Sequence, residues 1–276
     1  MLRSAKEMEG YEVSATDGVI GHVKDFYLDD ETWVIRYLIV DTGGWLSGRK
    51  VLVSPISVGT PDWEQKLLPV LINREQVSNS PDIDAEKPVS RQHEMMYSAY
   101  YGYPYYWGGA GYWGGGMYPN LMWPGYGGYG GSLASPGEGQ REMARLDSAR
   151  HEQGDPHLRS CNAVVGYHIH ASDGEIGHVA GMLVDEQTWA VRYLVVDTSN
   201  WWLGHQVLIA PQWIEAVNWF NNTVSVSMTR QAIKDAPAYD SQAPLSREGE
   251  DRLYKHYGHD GYWTGYPARE GAISRS

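Results

Sequence analysis

The sequence predicts an all-β protein: two tandem small β-barrels, each followed by a short helical tail, joined by a Gly/Tyr-rich linker. Three observations carry this. The chain repeats itself at a fixed offset of 156 residues, Gly10-Tyr11 recurring as Gly166-Tyr167. Runs of β-branched and aromatic residues stand at matching places in both copies. An Asp-Gly pair, the commonest tight-turn signal, precedes the same strand twice, as Asp17-Gly18 and Asp173-Gly174.

The repeat runs without a gap. Ile20-Gly21-His22-Val23 matches Ile176-Gly177-His178-Val179, Arg36-Tyr37-Leu38 matches Arg192-Tyr193-Leu194, and Pro55 and Trp63 match Pro211 and Trp219. It continues past the barrels, Ser90-Arg91 and Tyr106-Trp107 recurring as Ser246-Arg247 and Tyr262-Trp263. The expected organisation is a first barrel over 10–84, its tail over 85–107, a flexible linker over 108–165, a second barrel over 166–240 and its tail over 241–276. A tail that keeps its aromatics in register is expected to pack on something.

Each element follows from local chemistry. A strand enters the Asp17-Gly18 turn and another leaves it, because glycine tolerates the positive φ of a tight hairpin. The next run, Trp33 to Asp41, places Trp33, Ile35, Tyr37 and Ile39 on one face and Val34, Arg36, Leu38 and Val40 on the other. Both faces are largely apolar, so the strand is expected to be covered on both sides. Thr42-Gly43-Gly44 turns the chain, Lys50–Ser54 returns as a strand stopped by Pro55, and Leu67–Ile72 is expected to close the barrel. Asn73 and Thr229 then cap a turn of helix, while Ser90 and Ser246 open tail helices ending at Gly102 and Gly258. On those helices Tyr97 and Tyr101, or Leu253 and Tyr257, share a face.

Composition narrows the function. Twenty Tyr and twelve Trp stand against two Phe, and half of the tyrosines fall within residues 97–131. The formal net charge of -12 supplies no basic footprint for nucleic acid or an anionic membrane surface. The single cysteine, Cys161, leaves no intramolecular disulfide and fits a reducing compartment. Met1-Leu2-Arg3-Ser4-Ala5-Lys6 lacks the apolar core of a signal peptide, and no stretch has the roughly 20 apolar residues of a membrane span. A cytoplasmic protein without membrane insertion or nucleic-acid binding is expected.

Gly10-Tyr11, Asp17-Gly18, Ile20-Gly21-His22-Val23, the run Trp33 to Thr42, Trp45 and Arg49 to Pro55 resemble the PRC-barrel superfamily. Asn73-Arg74-Glu75-Gln76-Val77, Ser90-Arg91 and Tyr101 to Trp107 look like its stand-alone bacterial, reaction-centre-H-like branch. The superfamily includes the cytoplasmic domain of the photosynthetic reaction-centre H subunit and the C-terminal domain of a ribosome-maturation factor. The resemblance implies a small barrel used as a docking surface and brings no catalytic residue with it. It also implies two alternatives: an adaptor of a photosynthetic or redox membrane complex, or a ribosome-associated assembly factor.

The residues themselves point the same way. His168, His170 and His178 gather on neighbouring strands, but the first copy has Glu12 and Ser14 where the second has His168 and His170. No metal or other cofactor is therefore expected. Asp29-Asp30-Glu31 and Asp185-Glu186 read as turn acids capping backbone N–H groups. No nucleophile-and-base spacing and no phosphate-cradling loop occurs, so no enzyme activity is expected. Arg36 and Arg192 each interrupt an apolar face and need a carboxylate or solvent. Either they pair with Asp41 and Asp197 at the barrel rim, or they form a polar spot between the barrels. A barrel this small is marginal alone. The barrels are therefore expected to pair through Val34, Arg36, Leu38, Val40, Ala190, Arg192, Leu194 and Val196, within one chain by preference and otherwise as a homo-oligomer. Tyr97, Tyr101, Leu253 and Tyr257 would dock the tails, and an unidentified protein would be the further partner.

Overall fold

The computed structural model describes residues 1–81, 89–107, 111–124, 157–198 and 205–264. The chain divides into two compact units, Met1–Gly166 with Ala180–Leu194, and Tyr167–Val179 with Val195–Ser276. This division does not follow the repeat, because the first unit includes a fifteen-residue hairpin from the second copy.

The first copy contains β1 (Leu2–Ser4), α1 (Ala5–Met8), β2 (Glu12–Ala15), β3 (Gly18–Asp29), β4 (Val34–Asp41), β5 (Lys50–Val53), β6 (Leu67–Pro69), α2 (Arg74–Ser78) and α3 (Arg91–Tyr101). The second has β7 (Leu158–Ser160), α4 (Cys161–Val164), β8 (His168–Ala171), β9 (Gly174–Asp185), β10 (Val191–Asp197), β11 (Gln206–Ile209), β12 (Ile214–Asn218), β13 (Thr223–Val226), α5 (Arg230–Lys234) and α6 (Arg247–Tyr257). Strands predominate, in two sheets ordered β5-β4-β3-β2-β6 and β11-β10-β9-β8-β13-β12.

Within the first unit the turns behave as their residues require. Gly21 has φ 152°, and a Cβ there would lie 2.1 Å from the Asp41 carbonyl oxygen. Only glycine lets β3 cross β4 so closely. Asp29 ends β3 by accepting the N–H groups of Glu31 and Thr32 on its carboxylate. Trp33 then takes the left-handed conformation, φ 55°, as does its copy Trp189 at 61°. Such a backbone costs a bulky residue roughly 1–2 kcal/mol, so the surroundings must hold it. Pro55 stops β5 and begins a single 3-10 turn. Beyond it Val58 bridges Val70, while β6 pairs with β2 in parallel. Val13, Leu28, Ile35, Leu38, Leu68 and Ile72 form the fully buried core. Each such side chain contributes about 1.5–3 kcal/mol by leaving water.

The helix starts and stops match the expected ones. Asn73 and Gln76 make a reciprocal capping box at α2, Ser90 caps α3, and Gly102 ends α3 at φ 71°. In the second unit Thr229 caps α5, Ser246 caps α6, and Gly258 ends α6 at φ 71°. There Leu253 and Tyr254 are buried, and the rings of Tyr254 and Tyr257 each lie 4.9 Å from Trp213.

The start of the repeat differs from expectation. Leu2-Arg3-Ser4 recurs as Leu158-Arg159-Ser160 at the same offset, and both copies form a strand followed by one turn of helix. The stretch 158–164, expected as linker, is therefore an ordered arm. Part of the stretch expected as linker also carries defined structure. Among residues 111–124, Trp113 is buried and Pro119–Met122 forms a 3-10 turn. An indole with an apolar site for its ring outweighs the glycines around it. The remainder of the expected linker, 108–110 and 125–156, lies outside the described residues.

The arms do not stay with their own copies. β1 pairs antiparallel with β9 through Leu2↔Asp185, Arg3↔Val184 and Ser4↔Leu183. β7 pairs antiparallel with β3 through Leu158↔Asp29, Arg159↔Leu28 and Ser160↔Tyr27. Adding 156 to one member of each pair and subtracting it from the other converts the first set into the second.

Candidate interaction site

In the first unit β4 has a free edge only at its start. β5 pairs with Leu38 to Asp41, which leaves the residues before Leu38 without a β5 neighbour. That edge is taken by the second-copy hairpin. The Ile35 N–H donates to the Trp189 carbonyl at 2.9 Å, the Val191 N–H donates to the Trp33 carbonyl at 2.8 Å, and Val34 bridges Ala190 between them. Residues 33 and 189, 34 and 190, and 35 and 191 are repeat equivalents. The contact is therefore its own mirror under the repeat, with Val34–Ala190 at its centre. The two strained tryptophans supply its carbonyls.

On either side of this centre stand the two arginines. Arg36 is 2% exposed and makes a two-pronged contact with Asp29 Oδ2, at 3.2 Å from Nε and 3.0 Å from Nη2. Its Nη2 also donates to Thr32 Oγ1, and its Nη1 to the backbone carbonyl of Tyr112. The guanidinium lies 3.8 Å from the Tyr106 ring centre and 5.0 Å from that of Trp113. Arg192 repeats the arrangement with Asp185 Oδ2 and Thr188 Oγ1, and its Nη1 donates to the Tyr112 hydroxyl at 3.1 Å. Trp113, 1% exposed, donates its indole N–H to the Thr188 carbonyl at 2.9 Å. One Tyr-Trp pair thus serves both arginines.

This corrects the rim reading. Arg36 pairs with Asp29 rather than Asp41, and Arg192 with Asp185 rather than Asp197. Arg36 and Asp29 lie across the β3–β4 turn, whereas Asp41 points to the next turn and accepts the Gly43 N–H.

A second buried cluster adjoins the first. Glu94 on α3 is wholly buried and receives Tyr106 Oη at 2.6 Å, Tyr37 Oη at 3.2 Å and Arg91 Nη1 at 3.1 Å. His157, at the head of the second arm, places Nε2 2.8 Å from Glu94 Oε2. Its own carbonyl accepts the Asp30 N–H. The arm is therefore held by main chain and side chain together. In the second unit Arg247, Glu250 and Tyr262 repeat the motif, with Arg247–Glu250 at 2.7 Å and Tyr262 Oη donating to Glu250 at 2.9 Å.

The tail helix α3 lies against its own copy. Tyr97 is 1% exposed, accepts the Ser54 N–H at 3.0 Å, donates to the Leu52 carbonyl and meets Tyr37 edge-on at 5.1 Å. Tyr101 packs on Tyr97 and stacks on Tyr103 at 5.2 Å. Leu38 and Val40 are buried, but their strand neighbours are Phe26, Val53, Val23 and Val51 of the same copy. In the first unit, contact with residues 189–191 is made at the start of β4 and not along its length. Leu194 is buried in the first unit and Val196 in the second.

Electrostatics make the cluster a structural lock. Burial raises the Asp29 carboxyl, but the Arg36 charge and hydrogen bonds, with His157, outweigh it and hold the group below the ordinary carboxylate value. Burial pushes the Tyr37 and Tyr106 phenols far up, and the Glu94 charge adds to this. Both remain hydrogen-bond donors at any physiological pH. Burial, then Asp25 and Glu9, push the Cys161 thiol up, so it stays protonated. Elsewhere His168 Nδ1 meets Glu175 at 2.8 Å on an exposed sheet face, with His178 its cross-strand neighbour. Among the described residues no group of three or more His, Cys, Asp or Glu is placed to hold a metal ion, and no helix is long and apolar enough to cross a membrane.

Glu94, Tyr106, Trp113 and His157 were not singled out as site residues from sequence. The preserved register of Arg91, Glu94 and Tyr106 with Arg247, Glu250 and Tyr262 was a usable signal for the tail cluster. The repeated Leu-Arg-Ser was one for the arms. Tyr112-Trp113 carried none, being unrepeated and set among glycines.

A stretch of 43 residues is 49% identical to an uncharacterized protein of Deinococcus radiodurans. It covers 16% of this chain and 15% of that relative's length, so the likeness concerns one segment of each. The family model described as PRC-barrel domain matches residues 2–62, starting at the first arm and running through β5. With the β2–β5 order and the arm in place, this segment of the chain belongs to the PRC-barrel superfamily.

Proposed function

We propose that the chain is a non-catalytic assembly module whose two copies pair with each other within one chain and present the paired body to a protein partner. A PRC-barrel domain suggests an interaction or assembly role in general. The observation that carries the finer reading is the reciprocal contact set around Val34 and Ala190. Contacts that repeat with the two members interchanged are the mark of an isologous interface. Two strained tryptophans at its centre support a function for it, since such backbone persists only where its surroundings over-determine it. The ionisable groups at the site are engaged with one another, and the phenols and thiol there stay protonated, which fits binding rather than acid–base or nucleophilic chemistry.

The test is a cut chain. A protease site placed within residues 125–156 and cleaved in the folded protein should leave both halves eluting together in gel filtration. Val34→Asp with Ala190→Asp should let them part. Halves that separate freely without those substitutions would end the pairing reading. Affinity purification from the native cell, with the paired chain as bait, then identifies the protein partner.

A further inference from the structure

The exchanged arms make a stronger statement about the partner. The main-chain contacts and the arginine–carboxylate pair of each arm exist twice. Arg3 Nε lies 2.9 Å from Glu186 Oε2, and its equivalent Arg159 Nε lies 2.9 Å from Asp30 Oδ2. The Glu186 N–H donates to the Met1 carbonyl and the Asp30 N–H to the His157 carbonyl, at 3.0 and 2.9 Å. Ser4 and Ser160 cap the following helical turns, and Ala5 and Met8, like Cys161 and Val164, are buried. An arm is thus a complete cassette: three strand residues, a capped turn and two buried side chains, accepted by a surface that both copies carry.

We propose that the arms also exchange between chains, so that a second copy of this chain is the partner this surface fits. The proposal rests on the pairing described above. An arm docked on another chain makes the contacts it makes on its own, so exchange forms no new interface and loses none. The connection does not forbid it. The residues between Pro124 and His157 can span up to about 110 Å, at roughly 3.3–3.6 Å per residue. Tethering opposes it, because the covalent link holds the arm near its own chain at about millimolar effective concentration. The two-chain form is therefore expected when the chain is concentrated or when the single-chain contacts are made repulsive.

Complementary charge reversal tests this in full-length protein. One variant carries Arg3→Glu and Arg159→Asp, the other Asp30→Arg and Glu186→Arg. In either alone, every arm meets its own sign of charge. In a mixed pair every arm meets the opposite sign. Unfolded together and diluted into buffer, the two should give a species of twice the 31.0 kDa chain mass by light scattering, while each refolded alone stays at one. A mixture that stays at one chain mass, or either variant doubling by itself, overturns the proposal. Far-UV circular dichroism on each variant checks folding. Should either fail it, wild-type chain diluted from denaturant at about millimolar concentration must show the doubled mass and lose it on dilution, or the proposal falls. Tryptic release at Arg3 and Arg159 separates the two readings. If wild-type arms are cut as fast as those of an unfolded chain, the pairing itself is wrong. If they are protected while the mixture stays at one chain mass, only the exchange between chains is wrong.

Discussion

The two arginine sites have the same residues and different surroundings. Arg36 and Asp29 are 2% and 5% exposed along their side chains, while Arg192 and Asp185 are 11% and 17% exposed. The ion pairs are equally short, 3.0 and 3.1 Å, and each arginine also reaches the threonine four residues before it. What differs is the cover. Arg36 lies between Tyr106 and Trp113 and gives a hydrogen bond to the main chain, while the contacts of Arg192 among the described residues include the ring and the hydroxyl of Tyr112. Duplication copies the local pair. Around Arg36 the cover is Tyr106 together with the unrepeated Trp113.

That difference sets the largest expected effect. Asp29→Asn leaves the Arg36 charge buried without its counter-ion, which costs about 3–5 kcal/mol when a buried pair loses one member. Asp185→Asn leaves Arg192, already more open to solvent, without its counter-ion and should cost about 1 kcal/mol, near the surface-pair range. Urea unfolding of the two variants measures the gap. Equal losses would mean that the Tyr112-Trp113 cover has no energetic consequence. Trp113→Ala should follow closely, at about 3–5 kcal/mol for a buried aromatic, and it should shrink the difference between the Asp29 and Asp185 variants by letting water reach Arg36.

The Asp29 pair also predicts a pH dependence. Its folded-state value lies below the ordinary one, so its stabilisation is present above about pH 4, the unfolded carboxylate value. It is lost as pH falls through the lower folded value. The stability gap between wild type and Asp29→Asn should stay level from about pH 6 to 8 and close below about pH 4. Chemical unfolding at several pH values reads it. A gap that widens on acidification contradicts the assigned direction.

Much of this architecture was legible in the residues because local chemistry dictates it. Asp17-Gly18, Asn73, Ser90 and Gly102 each have one favourable backbone role, and the structure places them in it. The strand Val34–Asp41 followed from its β-branched and aromatic run. The arm partners were not legible. Leu2-Arg3-Ser4 is a strand only because β9 offers it an edge, and three residues carry no periodic signal of their own. The partner of Arg36 was missed for a related reason. Asp29 and Asp41 both lie near it in sequence, and the β3–β4 turn, held by Asp29 itself, decides between them. Tyr112-Trp113 reads as linker by composition, and only the presence of two arginines to receive it makes it a fixed segment.

The smallest effect separates the two uses of Tyr112. Arg36 takes its backbone carbonyl and Arg192 takes its hydroxyl. Tyr112→Phe removes the hydroxyl and leaves the carbonyl, so only the Arg192 side loses a partner. A hydrogen bond to a charged group is worth about 1.5–3 kcal/mol when buried. Arg192 is part-exposed and keeps Asp185 and Thr188, so a loss of about 0.5–1.5 kcal/mol is expected. The variant should leave the Asp29→Asn penalty unchanged while altering that of Asp185→Asn, because the second pair alone shares a hydrogen-bond partner with the changed group. A double-mutant cycle over these three positions reads both couplings. Coupling of Tyr112→Phe to Asp29 as strong as to Asp185 would show that the ring, through its packing, serves both arginines alike, and the division of labour between carbonyl and hydroxyl would be wrong.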